Sequence, residues 1–304
     1  MCASLEVHQA KQRCDTRCGF VALMGRPNVG KSTLLNALLN ASISIVSNRP
    51  ETTRKAIRGI LTRDDYQIIF VDTPGIHRPR TLLGKRLNAI TDEQLSQVDV
   101  LLFLTPADEK MGPGDEFILK HAKQIASKRI KLYAVVTKID KVKPQALIER
   151  LGLLQEKYHF DHIIPLSAAK DNNLDELVRV LVEALPESDF LYDSETLTDE
   201  SWQSMVAEAV REAALSRLQQ ELPHSLVVQV VEKVEDVVYV NLYVERDSQK
   251  GIILGKGGEN IKQIRKGSTR VAREILGNEV HLNLQVKVAK NWQQDTKLLQ
   301  KFGF

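Results

Sequence analysis

Residues 25–32 read Gly-Arg-Pro-Asn-Val-Gly-Lys-Ser, a turn bounded by two glycines and closed by a lysine and a hydroxyl. The apolar run Phe20 to Met24 precedes this segment, and the helical pattern Thr33 to Leu39 follows it. A strand, such a turn and a helix form the context in which the pattern G-x-x-x-x-G-K-[ST] makes a phosphate-binding loop. The alternative is a tight turn that merely needs glycine. Because all four fixed positions match, the pattern favours the phosphate loop.

Each residue type in this loop suits a task in phosphate binding. Gly25 and Gly30 let the backbone curl so that its N–H groups and the helix N-terminus face the phosphates. Lys31 supplies positive charge, and Ser32 can coordinate Mg²⁺. The predicted nucleotide-binding residues of this segment are Gly25, Arg26, Pro27, Asn28, Val29, Gly30, Lys31, Ser32 and Thr33.

Three further predicted strands end in polar residues that suit the rest of a nucleotide site. They are followed by Asp72-Thr73-Pro74-Gly75, by Thr137-Lys138-Ile139-Asp140 and by Ser167-Ala168. Open α/β sheets bind ligands at the carboxyl ends of their strands, so we expect these segments to adjoin the phosphate loop. Taken alone, the segment Asp72 to Gly75 could equally be a turn. The match at Ser167-Ala168 is only two residues long, which makes it weak evidence.

Two carboxylates in these segments have a definite chemistry. Asp72 at a strand end suits the magnesium role of a Walker-B aspartate, usually through water. Asp140 offers two acceptor oxygens to the N1–H and exocyclic amine of guanine, whereas adenine has an unprotonated N1 and no such amine. The sequence therefore predicts Mg²⁺ bound by Ser32 and Asp72, and a guanine base selected by Asp140.

The chain divides into two predicted domains. Short apolar runs alternate with amphipathic segments such as Leu174 to Leu185, which indicates a mostly parallel sheet covered by helices. This pattern stops at Pro186, and a polar, acidic stretch follows it. We predict an extension at residues 1–18, a nucleotide-binding domain at 19–186, a linker at 187–198 and a second domain at 199–304.

The second domain has the predicted order helix, two strands, two helices and a final strand. The predicted elements are a helix from Ser201 to Gln219, strands from Leu226 to Val231 and Val237 to Val244, helices around residues 252–276, and a strand from Val280 to Val288. Between the paired helices, residues 255–258 fit the pattern G-x-x-G. In this order of elements the pattern is typical of a type II KH domain, whose loop clamps single-stranded RNA. An ordinary helix-loop-helix turn is the alternative.

Charge around this loop also suits RNA. Residues 246–273 hold Arg246, Lys250, Lys256, Lys262, Arg265, Lys266, Arg270 and Arg273 against Asp247 and Glu259. Several of these side chains will belong only to a solvated helix face. KH grooves also read bases with apolar side chains, which adds isoleucines to the set. The predicted RNA-binding residues are Ile252, Ile253, Gly255, Lys256, Gly257, Gly258, Ile261, Lys262 and Arg265.

Composition excludes several other classes of protein. Apolar residues form 43% of the chain and charged residues 27%, which argues against extended disorder. A net charge of +3 is too small to name a partner without local clustering. Cys2, Cys14 and Cys18 cannot supply the four ligands of a structural zinc site. No run approaches the roughly 20 apolar residues of a membrane span, and no secretory signal is evident, so we expect a cytoplasmic protein.

Taken in order, the four nucleotide-site segments resemble the signature of translation-factor-type GTPases. Residues 50–54, Pro-Glu-Thr-Thr-Arg, narrow this resemblance to the Era-like family. The resemblance implies an α/β P-loop GTPase domain with a mostly parallel sheet, followed by an α+β type II KH domain. It implies that Thr53, or less readily Thr52, coordinates Mg²⁺ in a first switch, and that Asp72 to about Gly84 form a second switch. A polar surface loop fits residues 50–54 equally well by composition.

The combination of a GTPase domain with a KH domain is a more specific match to the Era-like family than either domain alone. This resemblance covers about Gly19 to Phe304. It implies binding of GTP and GDP, and of small-subunit ribosomal RNA near its 3′ end. It also implies a role in assembling the small ribosomal subunit under control of the nucleotide state. Further expectations are a monomer and a peripheral association with the cytoplasmic face of the cell membrane.

Two departures from the family pattern bear on mechanism. Thr137 replaces the asparagine that begins the base-recognition motif, which removes an amide NH₂. Ile76 stands where Ras-like enzymes carry the glutamine that orients water, so slow intrinsic turnover is expected. Asn28 resembles the monovalent-cation ligand of some Era-like GTPases, which predicts K⁺ beside the phosphates. Alternatively, Asn28 only caps its own loop. The predicted catalytic residues are Lys31, Asn28 and Thr53.

Two other functions compete with GTP hydrolysis. The chain could be an RNA-binding protein whose nucleotide site is structural, which the missing glutamine favours and the intact Lys31, Ser32 and Asp72 oppose. It could also be a P-loop kinase acting on a small molecule, which the Asp140 segment disfavours and which leaves the KH pattern unexplained. Phosphate release in the presence of RNA distinguishes a GTPase from a protein with a structural nucleotide site. Transfer of phosphate to an acceptor other than water would indicate the kinase.

Overall fold

The computed structural model describes residues 16–41, 43, 57–72, 81–126, 129–217, 225–277 and 279–304. The first domain contains strands β1 (Arg17–Met24), β2 (Ile57–Thr62), β3 (Tyr66–Asp72), β4 (Val100–Pro106), β5 (Lys131–Thr137) and β6 (His162–Pro165). Its helices are α1 (Lys31–Leu39), α2 (Leu82–Leu95), α3 (Pro113–Ile125), α4 (Pro144–Tyr158) and α5 (Leu174–Ala184). The apolar runs at residues 20–24, 68–71, 100–104, 132–136 and 163–166 predict five strands, which are confirmed as β1, β3, β4, β5 and β6. The helices predicted after residues 32 and 173 are also confirmed.

The six strands form one sheet in the order β2-β3-β1-β4-β5-β6. All neighbouring strands are parallel except β2 and β3, which pair antiparallel in a register that sets Ile57 opposite Asp72. The carboxyl ends of β1, β3 and β5 therefore share one edge of the sheet. The sequence did not predict β2, which adds an antiparallel edge strand to an otherwise parallel sheet.

The sheet is buried on both faces, as the apolar runs predicted. Along β4, Leu102 and Leu104 face one core with α1 and α5, whereas Leu101 and Phe103 face a second core with α3 and α4. All four side chains are fully buried. Burying a side chain of this size stabilises a fold by ~1.5–3 kcal/mol, so packing on both faces stabilises β4 strongly.

The predicted linker lies against the first domain. Gln67 of β3 is fully buried, and its Oε1 accepts the backbone N–H groups of Leu191 and Tyr192 at 2.9 and 3.0 Å. Its Nε2 donates to the Tyr192 carbonyl at 2.9 Å. Further along, the N–H of Ile60 in β2 donates to the Leu197 carbonyl at 2.9 Å. The linker therefore follows the outer edge of the sheet before the second domain begins.

The second domain contains α6 (Trp202–Arg217), β7 (Val227–Val234), β8 (Val237–Val244), α7 (Asp247–Leu254), α8 (Glu259–Leu276), β9 (His281–Val288) and α9 (Thr296–Lys301). Strand β8 pairs antiparallel with β7 and parallel with β9. One face of this sheet packs on α6 and α8 through residues such as Val240, Leu284, Val210 and Ile264. The predicted order of elements is confirmed, and the short helix α9 at the end was not predicted.

Candidate nucleotide and RNA sites

The phosphate loop joins the end of β1 to the start of α1. Gly30 precedes α1 with φ 104 and ψ 20, a left-handed conformation that glycine adopts without steric cost. Lys31 begins the helix and is 9% exposed. Its Nζ donates to the carbonyls of Gly25 at 3.0 Å and Arg26 at 3.1 Å. The loop therefore surrounds its lysine, and the N-terminus of α1 faces the same region.

Burial and a carboxylate act on Lys31 in opposite directions. Burial lowers the pKa of Lys31, and the nearby charge of Asp72 raises it by a smaller amount. A buried ammonium needs a partner of opposite charge to remain ionised. A phosphate group beside Lys31 would act in the same direction as Asp72.

The two predicted magnesium ligands are adjacent. Ser32 lies in the first turn of α1 and Asp72 ends β3, and Ser32 Oγ donates to Asp72 Oδ2 at 2.9 Å. Asp72 is fully buried. Hydroxyl and carboxylate oxygens are the hard ligands that Mg²⁺ prefers, and Mg²⁺ takes most of its remaining ligands from water and phosphates. The donor set present therefore fits this ion.

Thr137 joins the base-recognition segment to the phosphate loop. It ends β5, is 4% exposed, and its Oγ1 donates to the Val29 carbonyl at 2.6 Å. The Thr137 hydroxyl therefore connects the end of β5 to the phosphate loop, although threonine lacks the amide of the family's asparagine. The sequence did not indicate this buried bond to Val29.

Asp140 is oriented by Ser167, the first residue of the fourth segment. Ser167 is buried, and its Oγ donates a short hydrogen bond to Asp140 Oδ1. This bond is the main reason that the pKa of Asp140 lies below its ordinary value. The exposed carboxylate is therefore ionised at neutral pH and directed by a neighbour. Lys138 precedes it in a left-handed conformation, φ 58, and Ala168 is half-buried beside Ser167.

Several predicted site residues lie outside the described residues. They are Thr52, Thr53, Thr73, Pro74, Gly75 and Ile76. Asn28 is described and has φ 66, so this asparagine adopts the left-handed conformation within the loop. Pro27 is exposed at the same turn, while Val29 is buried beneath it.

The G-x-x-G loop joins α7 to α8 through three glycines with positive φ. Gly255, Gly257 and Gly258 have φ 72, 62 and 77. A Cβ at Gly255 would come within 2.9 Å of the Asn260 backbone nitrogen, so only glycine fits there. Asn260 Nδ2 also donates to the Ile252 carbonyl at 2.9 Å, which closes the turn.

Burial divides the predicted RNA-binding residues into two groups. Lys256, Lys262 and Arg265 are exposed, and Ile252 is 48% exposed. Ile253 and Ile261 are 0% and 8% exposed within the core of the second domain. The prediction that these two isoleucines support bases directly does not fit their burial. They anchor the helices that flank the loop.

Two family models match the chain. A model described as "50S ribosome-binding GTPase" matches residues 20–138, and a KH-domain model matches residues 221–293. Together with the sites above, these matches define the chain as a P-loop GTPase joined to a KH domain. GTPase Era of Mycolicibacterium smegmatis is 48% identical over 299 residues, which cover 95% of this chain and 99% of that protein. The chain belongs to the Era family of GTPases.

Further relatives agree with this assignment. GTPase Era of Mycobacterium tuberculosis is 48% identical over 295 residues, which cover 94% of this chain and 98% of that protein. Era in complex with MgGDPNP and nucleotides 1506–1542 of 16S ribosomal RNA superposes with a TM-score of 0.90 at 36% identity, covering 95% and 99% of the two chains. A tyrosine variant of Aquifex aeolicus Era bound to GDP and AlF₄⁻ gives 0.89 at 36% identity, with the same coverage.

Proposed function

We propose that this GTPase assists assembly of the small ribosomal subunit by binding its ribosomal RNA near the 3′ end through the KH domain. Nucleotide state controls this binding. The observation that carries the proposal is the likeness along nearly the whole chain to an Era structure that contains both MgGDPNP and nucleotides 1506–1542 of 16S ribosomal RNA. The described nucleotide site and G-x-x-G loop supply the two chemistries that such a complex needs.

The name of the first family model refers to the large subunit, whereas the RNA in the Era complex belongs to the small subunit. That model covers only residues 20–138 and does not include the KH domain. The likeness to Era covers both domains, so it is the more specific guide to the RNA partner.

In the proposed nucleotide complex, the loop N–H groups and Lys31 bind the phosphates. The Lys31 ammonium has three N–H donors, so it can bind a phosphate oxygen while it keeps its bonds to the Gly25 and Arg26 carbonyls, and the bond to the charged oxygen is the stronger kind. Ser32 and Asp72 would hold Mg²⁺, which neutralises charge on the phosphates during hydrolysis. Asp140 accepts two hydrogen bonds from guanine, with Ser167 holding its carboxylate in place.

Hydrolysis also needs a group that replaces the glutamine of Ras-like enzymes. We assign this task to K⁺ beside Asn28, with Thr53 completing the magnesium site in the GTP state. The cation would offset negative charge as it develops in the transition state. This assignment rests on the resemblance of Asn28 to a family ligand and on its position within the phosphate loop.

In the proposed RNA complex, the backbone of residues 255–258 approaches the sugar-phosphate chain. The three positive-φ glycines leave the loop without side chains that would obstruct this approach, apart from Lys256. Exposed Lys256 in the loop, and exposed Lys262 and Arg265 along the start of α8, provide positive charge. Half-exposed Ile252 remains as an apolar contact for a base.

Helix α2 provides a physical connection between the two domains. It begins at Leu82, within the predicted second switch, and its Leu83 and Leu87 pack against Val227, Trp292 and Phe302 of the second domain. Two polar contacts accompany this packing. Arg86 Nη1 donates to the Phe304 carbonyl at 2.8 Å, and the Leu82 N–H donates to Gln294 Oε1 at 3.4 Å. A shift of α2 with the bound nucleotide would therefore act on the KH domain.

Binding to a short RNA tests the proposal most simply. An RNA that corresponds to nucleotides 1506–1542 of 16S ribosomal RNA should bind the full chain in the presence of Mg²⁺ and a GTP analogue, and should accelerate phosphate release from GTP. A scrambled RNA of equal length is the control. Equal binding of the two RNAs would contradict the proposed partner, while unchanged hydrolysis would contradict the coupling.

Localisation and oligomeric state follow from the same proposal. We expect a cytoplasmic monomer that also associates peripherally with the cytoplasmic face of the cell membrane. Within the described ranges, none of the helices has the length and apolar character of a membrane span. Fractionation of cells at low and high salt would measure the surface association, which should be salt-sensitive.

A further inference from the structure

The Arg26 side chain leaves the phosphate loop and meets two carboxylates near the start of α3. Arg26 Nε lies 2.7 Å from Asp115 Oδ1, and Arg26 Nη2 lies 3.0 Å from Glu109 Oε2. The Asp115 side chain is wholly buried, whereas 49% of the Glu109 side chain is exposed. Ion pairs at the surface contribute little because water screens them, so Asp115 is the partner that can fix Arg26.

Asp115 is itself held from other directions. Its Oδ2 accepts the backbone N–H of Gly112 at 2.9 Å, where the N-terminus of α3 also favours negative charge. Arg150 of α4 lies nearby. Burial lowers the pKa of Arg150, the charge of Asp115 opposes that shift, and Arg150 Nη2 donates to Thr105 Oγ1 at 2.9 Å. These contacts hold the buried Asp115 side chain in place from several sides.

The stem of Arg26 is confined by shape as well as by charge. A Cβ at Gly114 would come within 3.1 Å of Arg26 Cδ, so α3 has a glycine where the stem crosses it. The same Arg26 contributes a backbone carbonyl to Lys31 Nζ, next to the Gly25 carbonyl. One residue therefore joins a buried anchor in α3 to the cradle of the phosphate-binding lysine.

We propose that Asp115 is a positioning residue for GTP hydrolysis. It fixes Arg26, and through Arg26 it sets the backbone of the phosphate loop around Lys31. Its described contacts are with Arg26 and the start of α3, so it acts through another residue. The inference rests on the proposed binding of phosphate by Lys31. Loss of this anchor harms the transition state more than the ground state, since misplacement by about 1 Å can reduce a rate ~100-fold.

The test compares Asp115→Asn with Glu109→Gln in the full chain. Asparagine keeps the size of the side chain and an acceptor for Gly112, but it removes the charge that holds Arg26. For Asp115→Asn we expect kcat to fall about 10- to 100-fold while the Kd for GTP rises much less. The matched control Glu109→Gln changes an exposed partner of the same arginine and should alter kcat less than about threefold.

A double-mutant cycle distinguishes positioning through Arg26 from a general role in folding. Arg26→Gln alone should lower kcat as much as Asp115→Asn, and Asp115→Asn should add little in the Arg26→Gln background. Wild-type kcat in Arg26→Gln would overturn the proposal even if Asp115→Asn failed to fold. An equal loss from Asp115→Asn in both backgrounds would also overturn it. The variant Lys31→Ala tests the proposed nucleotide site separately, because retained GTP binding in this variant would contradict that site.

Discussion

In the proposed nucleotide complex, the choice of base depends on a single residue, Asp140. We predict that Asp140→Asn shifts preference from guanine to xanthine nucleotides, because the amide presents a donor to the ring carbonyl that replaces the guanine amine. The bond from Ser167 to Asp140 keeps the side chain at this position. Competition binding with GTP and xanthosine triphosphate measures the shift. Unchanged GTP affinity in the variant would remove Asp140 from the base site.

Asn28 is the residue on which the proposed monovalent cation depends. We predict faster hydrolysis in KCl than in NaCl at equal ionic strength, because a site shaped for K⁺ would coordinate the smaller ion poorly. An arginine finger that supplies comparable charge is worth roughly 10³–10⁵ in rate in other GTPases, which sets the upper range of the effect. Asn28→Ala should remove the K⁺ preference while GTP affinity falls much less.

Two outcomes would contradict this role of Asn28. Equal rates in the two salts would exclude a K⁺ requirement. An Asn28→Ala protein that keeps the preference would show that another group binds the ion. In either case Asn28 would only cap its own loop, where its backbone has the left-handed conformation, φ 66.

At the scale of an element, the loop between α7 and α8 is the proposed site of RNA binding. We predict that Lys256→Asp combined with Gly257→Asp weakens RNA binding by at least tenfold, since added carboxylates repel phosphate where the backbone must approach it. Nothing lies within 4 Å of a Cβ at Gly257, and aspartate is one of the few residues that adopt a positive φ such as the 62 found there. Lys297→Asp, which makes the same charge reversal at an exposed lysine of α9 outside the loop, is the control on the same domain.

GTP binding by the first domain should survive this double substitution. The measurement is the Kd for the RNA at moderate salt, together with the Kd for a GTP analogue. Full RNA affinity in the variant would contradict the KH assignment of the loop. Loss of GTP binding as well would indicate a damaged fold and would require the two substitutions to be made singly.

Elements with strong local patterns could be predicted from the sequence. Buried strands read as apolar runs because both faces of the sheet are covered, and the phosphate loop has fixed spacing. The missed β2 includes Arg58 and Gly59 within a run of six residues, and its pairing with β3 gives it strand form. The missed α9 is six residues long and depends on the burial of Leu299 against other parts of the chain.

Contacts within the site were harder to predict than its residues. The sequence predicted that Thr137, Ser167 and Asp140 lie near the phosphate loop, because they follow the ends of parallel strands. Their bonds to Val29 and to each other depend on side-chain directions that a linear pattern does not contain. No sequence pattern indicated a role for Asp115 in the nucleotide site. It lies at the start of α3, far along the chain from the phosphate loop, and only its contact with Arg26 connects it to that loop.

The contact between α2 and the second domain should couple the two sites at the scale of the whole molecule. We predict that Leu87→Asp, which places a charge in this apolar contact, removes most of the difference in RNA affinity between the GTP-analogue and GDP states. Couplings of this kind are typically worth about 5- to 150-fold. Ala89→Asp, at an exposed position of the same helix, should leave the difference intact.

Both variants require RNA titrations in the two nucleotide states. A Leu87→Asp protein that keeps the full difference would show that the coupling does not pass through α2. The linker would then be the next connection to test, since it bonds to Ile60 of β2 and to Gln67 of β3.

Crosslinking in cells is the measurement that tests the central claim most directly. The full chain and the variant with Lys256→Asp and Gly257→Asp would each be crosslinked to RNA, and the bound sequences would be mapped. We predict that crosslinks to the wild-type chain concentrate near the 3′ end of the small-subunit ribosomal RNA and are lost in the variant. Crosslinks spread over large-subunit or unrelated RNAs, or a pattern unchanged in the variant, would contradict the account.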